Sequence, residues 1–379
     1  MEIGIDIRMI GKKRTGDEAV FFNLVKNLAK IDNQNEYRLF TDITDEKILE
    51  ETKSNLGIAE KNNFEIISLK TRNKFTWNFW MLPRYLRRNP VDIYQTQYIT
   101  PFFVPKKIKI FTIIHDISFN FYPQLIKFSD LFFLKLLIPL SLRRADKIIA
   151  VSEFTRNEII KFYKIAPEKV AVAYNAVGDN FVNADLSPEK LEEVRRKYNL
   201  PEKFILYLGT MQPRKNLPVL IGAFGKIRQQ FSSVKLVLAG RKGHNYDKKI
   251  DETIKENSLE NEIIFPGFID EKDKPVVYKL AEIFCFPSLY EGFGIPVLEA
   301  MISGVPIIAS DIPPHKEIAR ESVLYFNPEN YDDLARKLAQ LLENEDLRND
   351  LILKEKEQTQ KFSWKRTAEK MLTIYQNNA

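Results

Sequence analysis

Residues 282–304, EIFCFPSLYEGFGIPVLEAMISG, have the pattern of a strand, a loop and a helix. Pro296 suits the first turn of that helix, because its missing N–H would be unpaired there in any case. The free N–H groups of such a turn favour an anion. Glu291 and Glu299 flank the loop and can accept hydrogen bonds from sugar or ribose hydroxyls. The stretch therefore suits a nucleotide sugar, although the two acids also fit a surface loop residue and an ordinary helix-dipole acid.

A second motif favours the ligand interpretation. Residues 209–217, GTMQPRKNL, place Arg214 and Lys215 between a strand and a helix. Cations at the carboxyl edge of a parallel strand are well placed for a diphosphate, and arginine can donate to two oxygens at once. A solvated basic turn is the alternative. The turn in LVLAGRKG, residues 236–243, has a similar but weaker pattern.

Strand-like apolar runs alternate with helical patterns along the whole chain, which indicates parallel sheets covered on both faces. We predict an α/β protein with two doubly wound domains and a ligand cleft at the carboxyl ends of their strands. The predicted strands of the first sheet are EIGIDIRMI, VDIYQTQ, KIKIFTIIHD, KIIAVS and KVAVAYNA. Those of the second sheet are KFILYLGT, SVKLVLAG, EIIFPGF, IFCFPS, VPIIAS and SVLYFN.

The length of 379 residues also favours two domains, because it exceeds what one hydrophobic core usually holds. The stretch VGDNFVNADLSPEK has little apolar periodicity and is interpreted as a linker. We therefore place the first domain at residues 1–182 and the second at residues 183–361. A closing helix within residues 362–379 is expected to return to the first domain.

Composition points to a water-soluble enzyme of a reducing compartment. The lone Cys285 cannot form an internal disulfide and lies in an apolar run, so a buried thiol is expected. The N-terminus has the pattern of a strand and not of a signal peptide, and no apolar run is long enough to span a bilayer. The net charge of +6 is uneven: residues 61–150 hold 15 lysines and arginines against 5 acids. This segment indicates an anionic partner, or simply a basic face.

The ordered set of motifs resembles the retaining glycosyltransferases of family 4, which have the GT-B fold. The resemblance is carried by GTMQPRKNL, LVLAGRKG, FPSLYEGFGIPVLEAMISGVPIIASDIPPHKEI and LYFNPENYDDLARKL, together with TIIHDISF, KIIAVSEFTRNEI and AYNAV in the first domain. It implies transfer of a hexose, with retained configuration, from a nucleoside-diphosphate sugar to a glycan or lipid-linked acceptor. GDP-mannose is the first expected donor and a UDP-hexose the second.

The resemblance also implies roles for individual residues. Arg214 and Lys215 would hold the diphosphate, Glu299 the ribose, and Glu291 the transferred sugar. His115, at the end of a predicted strand, would face that sugar from the first domain. The remaining expected donor-binding residues are Gly16, Gly209, Thr210, Gly240, Arg241, Gly292, Phe293, Gly294 and Ile295. His244 and His315 are expected at the surface.

No Asp-any-Asp triplet occurs, so we expect no metal, and no cofactor beyond the donor itself. The loop after the first strand departs from the family pattern, since Asp17 and Glu18 follow Gly16. Two acids would repel a diphosphate. We therefore expect them to turn toward acceptor hydroxyls or away from the cleft.

Aromatic and cationic residues alternate in RNKFTWNFWMLPRYLRR, and FSDLFFLKLLIPLSLRR follows with a strong apolar face. Both segments suit an anionic membrane surface or a lipid-diphosphate acceptor, or else they pack on the sheet. We expect a cytoplasmic protein, peripheral on the inner face of the membrane. A nucleic-acid binder and a sugar-nucleotide epimerase of the same fold are the alternatives, with nucleic acid not expected as a partner. The sequence leaves the oligomeric state open.

Overall fold

A computed structural model describes residues 1–11, 16–71, 73–243 and 245–378, with the backbone alone for residues 16, 17, 74 and 129. His244 and most of the loop after the first strand therefore lie outside the described residues. The chain divides into two compact units. The first unit comprises Met1–Asn120, Lys127–Ala176 and Ser363–Ala379, and the second comprises Phe121–Ile126 and Val177–Phe362.

The first unit is built on a seven-stranded parallel sheet in the order β3-β2-β1-β4-β5-β6-β7. Its strands are β1 (Glu2–Asp6), β2 (Glu36–Thr41), β3 (Phe64–Ser68), β4 (Ile93–Gln97), β5 (Lys109–Ile114), β6 (Lys147–Ala150) and β7 (Val170–Val172). Strands β2 and β3 were not predicted from the sequence. Polar residues such as Glu36, Arg38 and Glu65 interrupt the apolar runs of these two strands, which lie at one side of the sheet.

The second unit is built on a six-stranded parallel sheet in the order β10-β9-β8-β11-β12-β13. Its strands are β8 (Phe204–Leu208), β9 (Lys235–Ala239), β10 (Ile263–Ile264), β11 (Ile283–Phe286), β12 (Ile307–Ser310) and β13 (Leu324–Phe326). Each of the six predicted strands is present. Because both sheets are parallel and wound in two directions, the predicted fold class of two doubly wound α/β domains is confirmed.

Helices cover the faces of both sheets. In chain order they are α1 (Gly16–Ile31), α2 (Glu46–Leu56), α3 (Lys74–Thr76), α4 (Leu82–Arg88), α5 (Phe128–Arg144), α6 (Glu153–Tyr163), α7 (Asp179–Val182), α8 (Pro188–Lys197), α9 (Leu217–Ile227), α10 (Lys249–Glu256), α11 (Lys274–Leu280), α12 (Ile295–Ser303), α13 (Pro313–Ala319), α14 (Tyr331–Glu343), α15 (Glu345–Thr359) and α16 (Trp364–Gln376). A π-helical turn, Trp77–Met81, joins α3 to α4. No helix in the described ranges is long and apolar enough to cross a bilayer.

The closing helix α16 packs on α1 within the first unit. The Thr367 hydroxyl donates to the carbonyl of Tyr174 over 2.6 Å, and the Tyr375 hydroxyl donates to the Gln95 side chain on β4. Tyr375 and Gln95 are both buried. Helix α16 is thus held in the first unit by specific hydrogen bonds as well as by apolar packing.

The short helix α7 lies with the second unit. The ring of Phe181 contacts that of Tyr278 at 6.0 Å, and the Asn180 amide donates to the carbonyl of Glu271 over 2.8 Å. The contact division therefore falls after Ala176, six residues before the boundary that the sequence analysis placed after residue 182.

Candidate functional site

The strand order of the second sheet creates a switch point. β9 and β11 lie on opposite sides of β8, so the connections that leave β8 and β11 run to opposite faces. In open α/β sheets such a point leaves a crevice beyond the carboxyl ends of the strands. The loops that follow β8 and β11 carry the two motifs that the sequence analysis singled out.

The loop after β8 presents two cations on one short turn. Pro213–Lys215 forms a 3₁₀ turn, and Asn216 then takes a left-handed conformation with φ 57° before α9 begins. The N–H of Leu289 donates to the carbonyl of Arg214 over 2.9 Å, and the Arg214 guanidinium donates to the carbonyl of Tyr290. These bonds fix the loop after β8 against the loop after β11.

Glu291 joins both cations. Its Oε1 lies 2.6 Å from Lys215 Nζ and 3.2 Å from Arg214 Nη1, and all three side chains are largely buried. The Lys215 ammonium also lies 4.9 Å from the centre of the Phe286 ring at the end of β11. Burial alone would raise the pKa of Glu291, but the two cations outweigh burial and lower that pKa to about 2. The group carries one net positive charge in a poorly solvated position, which favours an anionic ligand.

The glycine-rich loop leads directly into α12. Gly294 has φ 106°, and a Cβ atom there would lie only 3.3 Å from Cδ2 of His315, so this position requires glycine. Ile295 begins the helix, and Pro296 stands in its first turn. Gly292 and Phe293 are buried, and the ring of Phe293 packs edge-on against Phe362 at 5.9 Å. Packing inside the second unit therefore occupies the Phe293 side chain.

Glu299 lies one turn further along α12 in a different environment. Its Oε2 accepts a hydrogen bond of 2.8 Å from the Tyr278 hydroxyl, and its Oε1 lies 3.6 Å from Lys274 Nζ. Lys274 in turn lies 2.7 Å from Glu271. Burial raises the pKa of Glu299, and Lys274 offsets only part of that effect. These partners of Glu299 were not predicted from the sequence, although Lys274 and Tyr278 share a helix face at i and i+4.

The glycines after β8 and β9 bring two loops together. Gly240 has φ 138°, and a Cβ atom there would lie 1.8 Å from the carbonyl oxygen of Gly209. The Tyr207 hydroxyl donates to the carbonyl of Thr210 over 2.7 Å, while the Thr210 side chain is exposed. Arg241 stacks on the ring of Phe268 at 4.3 Å, so its guanidinium rests against the neighbouring loop instead of joining the Glu291 group.

His315 is not at the surface, and that prediction was wrong. The residue lies on α13 and is fully buried, with Nδ1 3.0 Å from the carbonyl oxygen of Ser310 and its ring 5.5 Å from that of Phe286. Burial lowers the pKa of His315 to about 4, so the ring is neutral near pH 7. Its position behind Gly294 makes it a support of the glycine-rich loop. A periodicity argument over α13 could have shown that His315 faces inward together with Ile318 and Ala319.

Two predicted site residues, His115 and Gly16, belong to the first unit. His115 follows β5, with Nε2 3.0 Å from Gln97 Oε1 at the end of β4, and its ring lies 5.6 Å from that of Tyr98. Asp116 accepts hydrogen bonds from the N–H and the hydroxyl of Ser118, which fixes the loop after His115. Gly16 is the first residue of α1.

The acid that follows Gly16 by two positions has a backbone partner. Glu18 is buried, and its Oε1 accepts a hydrogen bond of 3.1 Å from the N–H of Gly11. This bond ties the start of α1 to the segment after β1. Glu18 was expected to turn either toward acceptor hydroxyls or away from the cleft. In the structure, at least one of its carboxylate oxygens is directed to the protein backbone.

Two family models match the chain, one in each half. The model described as Glycosyltransferase Family 4 matches residues 15–181, and the model described as Glycosyl transferases group 1 matches residues 190–358. The serotype-specific mannosyltransferase WbdA of Escherichia coli is 34% identical over 227 residues, which are 59% of this chain and only 28% of WbdA. The O-antigen chain mannosyltransferase B of Escherichia coli is 28% identical over 277 residues, 72% of each chain.

Solved glycosyltransferase structures superpose on nearly the whole chain. A glycosyltransferase from Rickettsia africae is 21% identical with a TM-score of 0.75, and the match covers 99% of this chain and 98% of that chain. Anabaena HepE in complex with UDP-glucose is 16% identical with a TM-score of 0.73, covering 100% of both chains. WaaG, a glycosyltransferase involved in lipopolysaccharide biosynthesis, is 14% identical with a TM-score of 0.71, covering 99% of both. At these identities the likeness concerns the fold alone.

Proposed function

Because the chain belongs to the glycosyltransferases of group 1 and family 4, we propose that it transfers a hexose from a nucleoside-diphosphate sugar. Mannose from GDP-mannose is the first choice, since the relatives WbdA and mannosyltransferase B are named as mannosyltransferases. A UDP-hexose is the second choice, and the HepE structure that holds UDP-glucose justifies testing it. The acceptor is a glycan or a lipid-linked glycan of polysaccharide synthesis. The matched families and relatives give no support to nucleic-acid binding or to an epimerase.

One observation carries the proposal. Arg214 and Lys215 after β8 meet Glu291 after β11, at the sheet's switch point and beside the start of α12. A diphosphate that enters this point would compete with Glu291 for the two cations. The cations would then stabilise the negative charge that develops on the leaving diphosphate, which is the largest task of the protein in such a transfer.

The released Glu291 carboxylate would then be available to hydroxyl groups of the transferred sugar. N–H groups of Phe293 and Gly294 lie next to it along the chain and would donate to the same sugar or to its phosphate. Glu299, with Tyr278 and Lys274 as fixed partners, would accept from the ribose hydroxyls.

We propose retained configuration and no metal requirement. Two side-chain cations supply at the diphosphate the charge that a metal would otherwise supply. No carboxylate in the proposed arrangement is assigned as a covalent nucleophile, because Glu291 is assigned to hydroxyl groups of the transferred sugar and Glu299 to those of the ribose. The leaving phosphate would therefore take the proton of the acceptor hydroxyl on the same face.

The proposal is tested with a donor panel. The enzyme is incubated with GDP-mannose, UDP-glucose or ADP-glucose and a lipid-linked or glycan acceptor, with and without EDTA. The expected result is release of one nucleoside diphosphate, unaffected by EDTA, and an α-linked product by the anomeric NMR coupling from an α-linked donor. A β-linked product would overturn retention, and EDTA inhibition would overturn metal independence. Transfer with no donor of the panel would overturn the proposed function.

We also propose peripheral binding at the cytoplasmic face of a membrane. The support is the aromatic and basic character of the first unit, where Trp80 is 66% exposed and Phe128 is 84% exposed. Co-sedimentation with vesicles tests this part separately. Binding to vesicles that contain phosphatidylglycerol but not to pure phosphatidylcholine is expected, and equal recovery in both supernatants would overturn it.

A further inference from the structure

A cavity of about 330 Å³ opens within the first unit, between the segment 74–88 and α5. It lies outside the residues assigned to the donor. Its lining is mostly apolar and comes from both helical segments and from the loop after β4. The lining residues are Phe75, Asn78, Phe79, Ile99, Asp130, Phe133, Leu134 and Leu137. The volume is at the lower end of the range of small-molecule sites.

The π-helical turn places a polar side chain in this lining. Leu82 N–H bonds to the carbonyl of Trp77, five residues back, and the wide turn directs both Trp77 and Asn78 inward. Asn78 is more than nine-tenths buried, and its Oδ1 accepts no hydrogen bond from any described residue. A buried acceptor without a donor is costly. π-Turns occur frequently at functional sites, and here the unpaired amide oxygen lines a cavity.

Aromatic side chains surround the cavity on both sides. The ring of Phe133 lies 5.5 Å from that of Phe75 and 5.9 Å from that of Phe132, and Phe79 stacks on Phe102 at 4.9 Å. Phe75, Phe132 and Phe133 are all exposed large apolar residues, as are Trp80 and Phe103. We call these five residues the aromatic rim. An exposed apolar group of this size, in which Phe75, Phe132 and Phe133 are in ring contact, marks a surface that meets an apolar partner.

Cations lie beside the rim. The Arg87 guanidinium donates to the carbonyl of Phe103 over 3.3 Å, and Arg84, Arg88 and Lys107 are exposed nearby along the chain. One acid, Asp130, belongs to the lining and stands exposed in the first turn of α5. Charge complementarity therefore favours a negatively charged partner, whose charge stays outside the cavity and away from Asp130.

We infer that this cavity takes the hydrocarbon chain of one anionic lipid. The chain fills the apolar lining, the aromatic rim contacts the lipid at the level of its polar–apolar boundary, and the cations pair with the phosphate. Asn78 Oδ1 accepts from a hydroxyl donor of the lipid. The inference is independent of the proposed transfer reaction, because this binding needs no sugar donor. This binding differs from docking on a bilayer surface, because one hydrocarbon chain of the lipid leaves the bilayer and enters the cavity.

The test uses lipids that are monomeric in solution. Titration calorimetry is performed on the full chain with decanoyl lysophosphatidic acid, with monodecanoylglycerol and with inorganic phosphate. Saturable binding of one lysophosphatidic acid per chain is expected, with monodecanoylglycerol about 10-fold weaker, as loss of a charge-assisted contact predicts. Absence of saturable binding would overturn the inference. The inference would also be overturned if sedimentation experiments showed a dimer of the chain and the lipid competed with dimer formation.

Variants separate the cavity from the surface around it. Leu134→Trp fills the cavity and should abolish lysophosphatidic acid binding, whereas Phe128→Ser, outside the lining, should leave it unchanged. Asn78→Leu removes the unpaired oxygen, so it should fold at least as stably as the natural chain and bind the lipid about 10-fold more weakly. Asp130→Asn should strengthen binding. Unchanged affinity of Leu134→Trp and Asn78→Leu, with vesicle binding lost only in Phe128→Ser, would overturn chain insertion in favour of surface docking.

Discussion

Glu291 and Glu299 are the same residue type, eight positions apart, and both are buried, yet their surroundings drive their pKa values in opposite directions. At the loop end, Arg214 and Lys215 outweigh burial and lower the pKa of Glu291 to about 2. On α12, burial outweighs the single cation Lys274 and raises the pKa of Glu299. The comparison teaches that burial sets only the starting cost, and that the number and distance of charged partners decide which form a carboxyl group takes.

The two environments fit two different tasks. The loop-end group holds a surplus of positive charge that a diphosphate would use. The helix group holds an acceptor oriented by a neutral hydroxyl and a more distant cation, which is suited to uncharged hydroxyl groups. A change to one acid or to its partners should therefore affect the task of that acid and leave the task of the other acid in place.

The largest expected effect comes from Lys215→Met. The substitution removes the cation that lies 2.6 Å from Glu291 and that is proposed to stabilise the leaving diphosphate. Turnover at saturating donor should fall by about 100-fold to 1,000-fold, as for loss of one group that stabilises transition-state charge. Lys226→Met is the matched control, because Lys226 pairs with Asp332 at the surface of the same unit. Equal turnover of the two variants would contradict the assigned role.

The second effect is on acid stability. The folded-state pKa of Glu291 is lowered from 4.5 to about 2, so its contribution is present above about pH 4.5 and is lost as the pH falls toward 2. The full contribution is about 3 kcal/mol of unfolding free energy. Urea unfolding from pH 6 down to pH 3 should show a shallower loss for Glu291→Gln than for the natural chain.

For Glu291→Gln, the quantity to compare is the slope of the unfolding free energy against pH. The absolute stability is not informative, because the variant also leaves two buried cations without a carboxylate. Glu193→Gln, an exposed change on α8, should keep the natural slope. If Glu291→Gln lost stability as steeply as Glu193→Gln, then Glu291 would not be held as a carboxylate by its neighbours.

A third, smaller effect is expected from Lys274→Met. Without the ammonium 3.6 Å away, the pKa of Glu299 should rise further, and the protonated carboxyl group would be a poorer acceptor for the ribose. Nucleotide affinity near pH 7 should fall by about 10-fold, which is about 1.4 kcal/mol. The deficit should shrink at higher pH as Glu299 ionises.

Lys279→Met, an exposed change on the same helix, is the control for Lys274→Met. A pH-independent deficit in Lys274→Met would mean that the lysine acts by packing alone. An unchanged affinity would mean that the lysine does not position Glu299.

The smallest effect is expected from Tyr278→Phe. The change removes one hydroxyl that donates to Glu299 over 2.8 Å and leaves the ring packing in place. Nucleotide affinity should fall by a few-fold, about 1 kcal/mol. Tyr246→Phe, which removes a surface hydroxyl bond to Asp251, should bind like the natural chain. If Tyr278→Phe lost more nucleotide affinity than Lys274→Met, the Tyr278 hydroxyl would matter more to Glu299 than the Lys274 ammonium, which is the reverse of the assigned order.

Most of the fold could be predicted from the sequence, because parallel strands with both faces covered are nearly continuous apolar runs. The six strands of the second sheet were predicted for that reason, whereas β2 and β3 contain charged residues and were not. The motif residues Arg214, Lys215 and Glu291 were also predicted, since glycine and proline mark the ends of their loops. Their mutual pairing was not, because it depends on two strands that are far apart in sequence and adjacent in the sheet.

Three features were not predicted from the sequence. His315 was predicted at the surface because the periodicity of α13 was not considered, although the spacing to Ile318 and Ala319 puts it on the inward face of that helix, against Phe286. Lys274 and Tyr278 reach Glu299 from α11, and a packing contact between two helices is needed to find them. The π-helical turn that contributes Asn78 and Phe79 to the cavity lining is likewise not predicted by apolar periodicity.

The most direct test of the donor site is a thermal-shift panel with UDP, GDP and ADP, each alone and as its nucleotide sugar. It is run on the natural chain, on Glu299→Ala and on Glu329→Ala, an exposed loop control in the same unit. A ligand that binds only the folded state raises the unfolding midpoint. One base should raise the midpoint of the natural chain and of Glu329→Ala, and this rise should be lost in Glu299→Ala. No rise with any nucleotide, or the same rise in Glu299→Ala, would contradict a nucleotide-sugar site at this switch point.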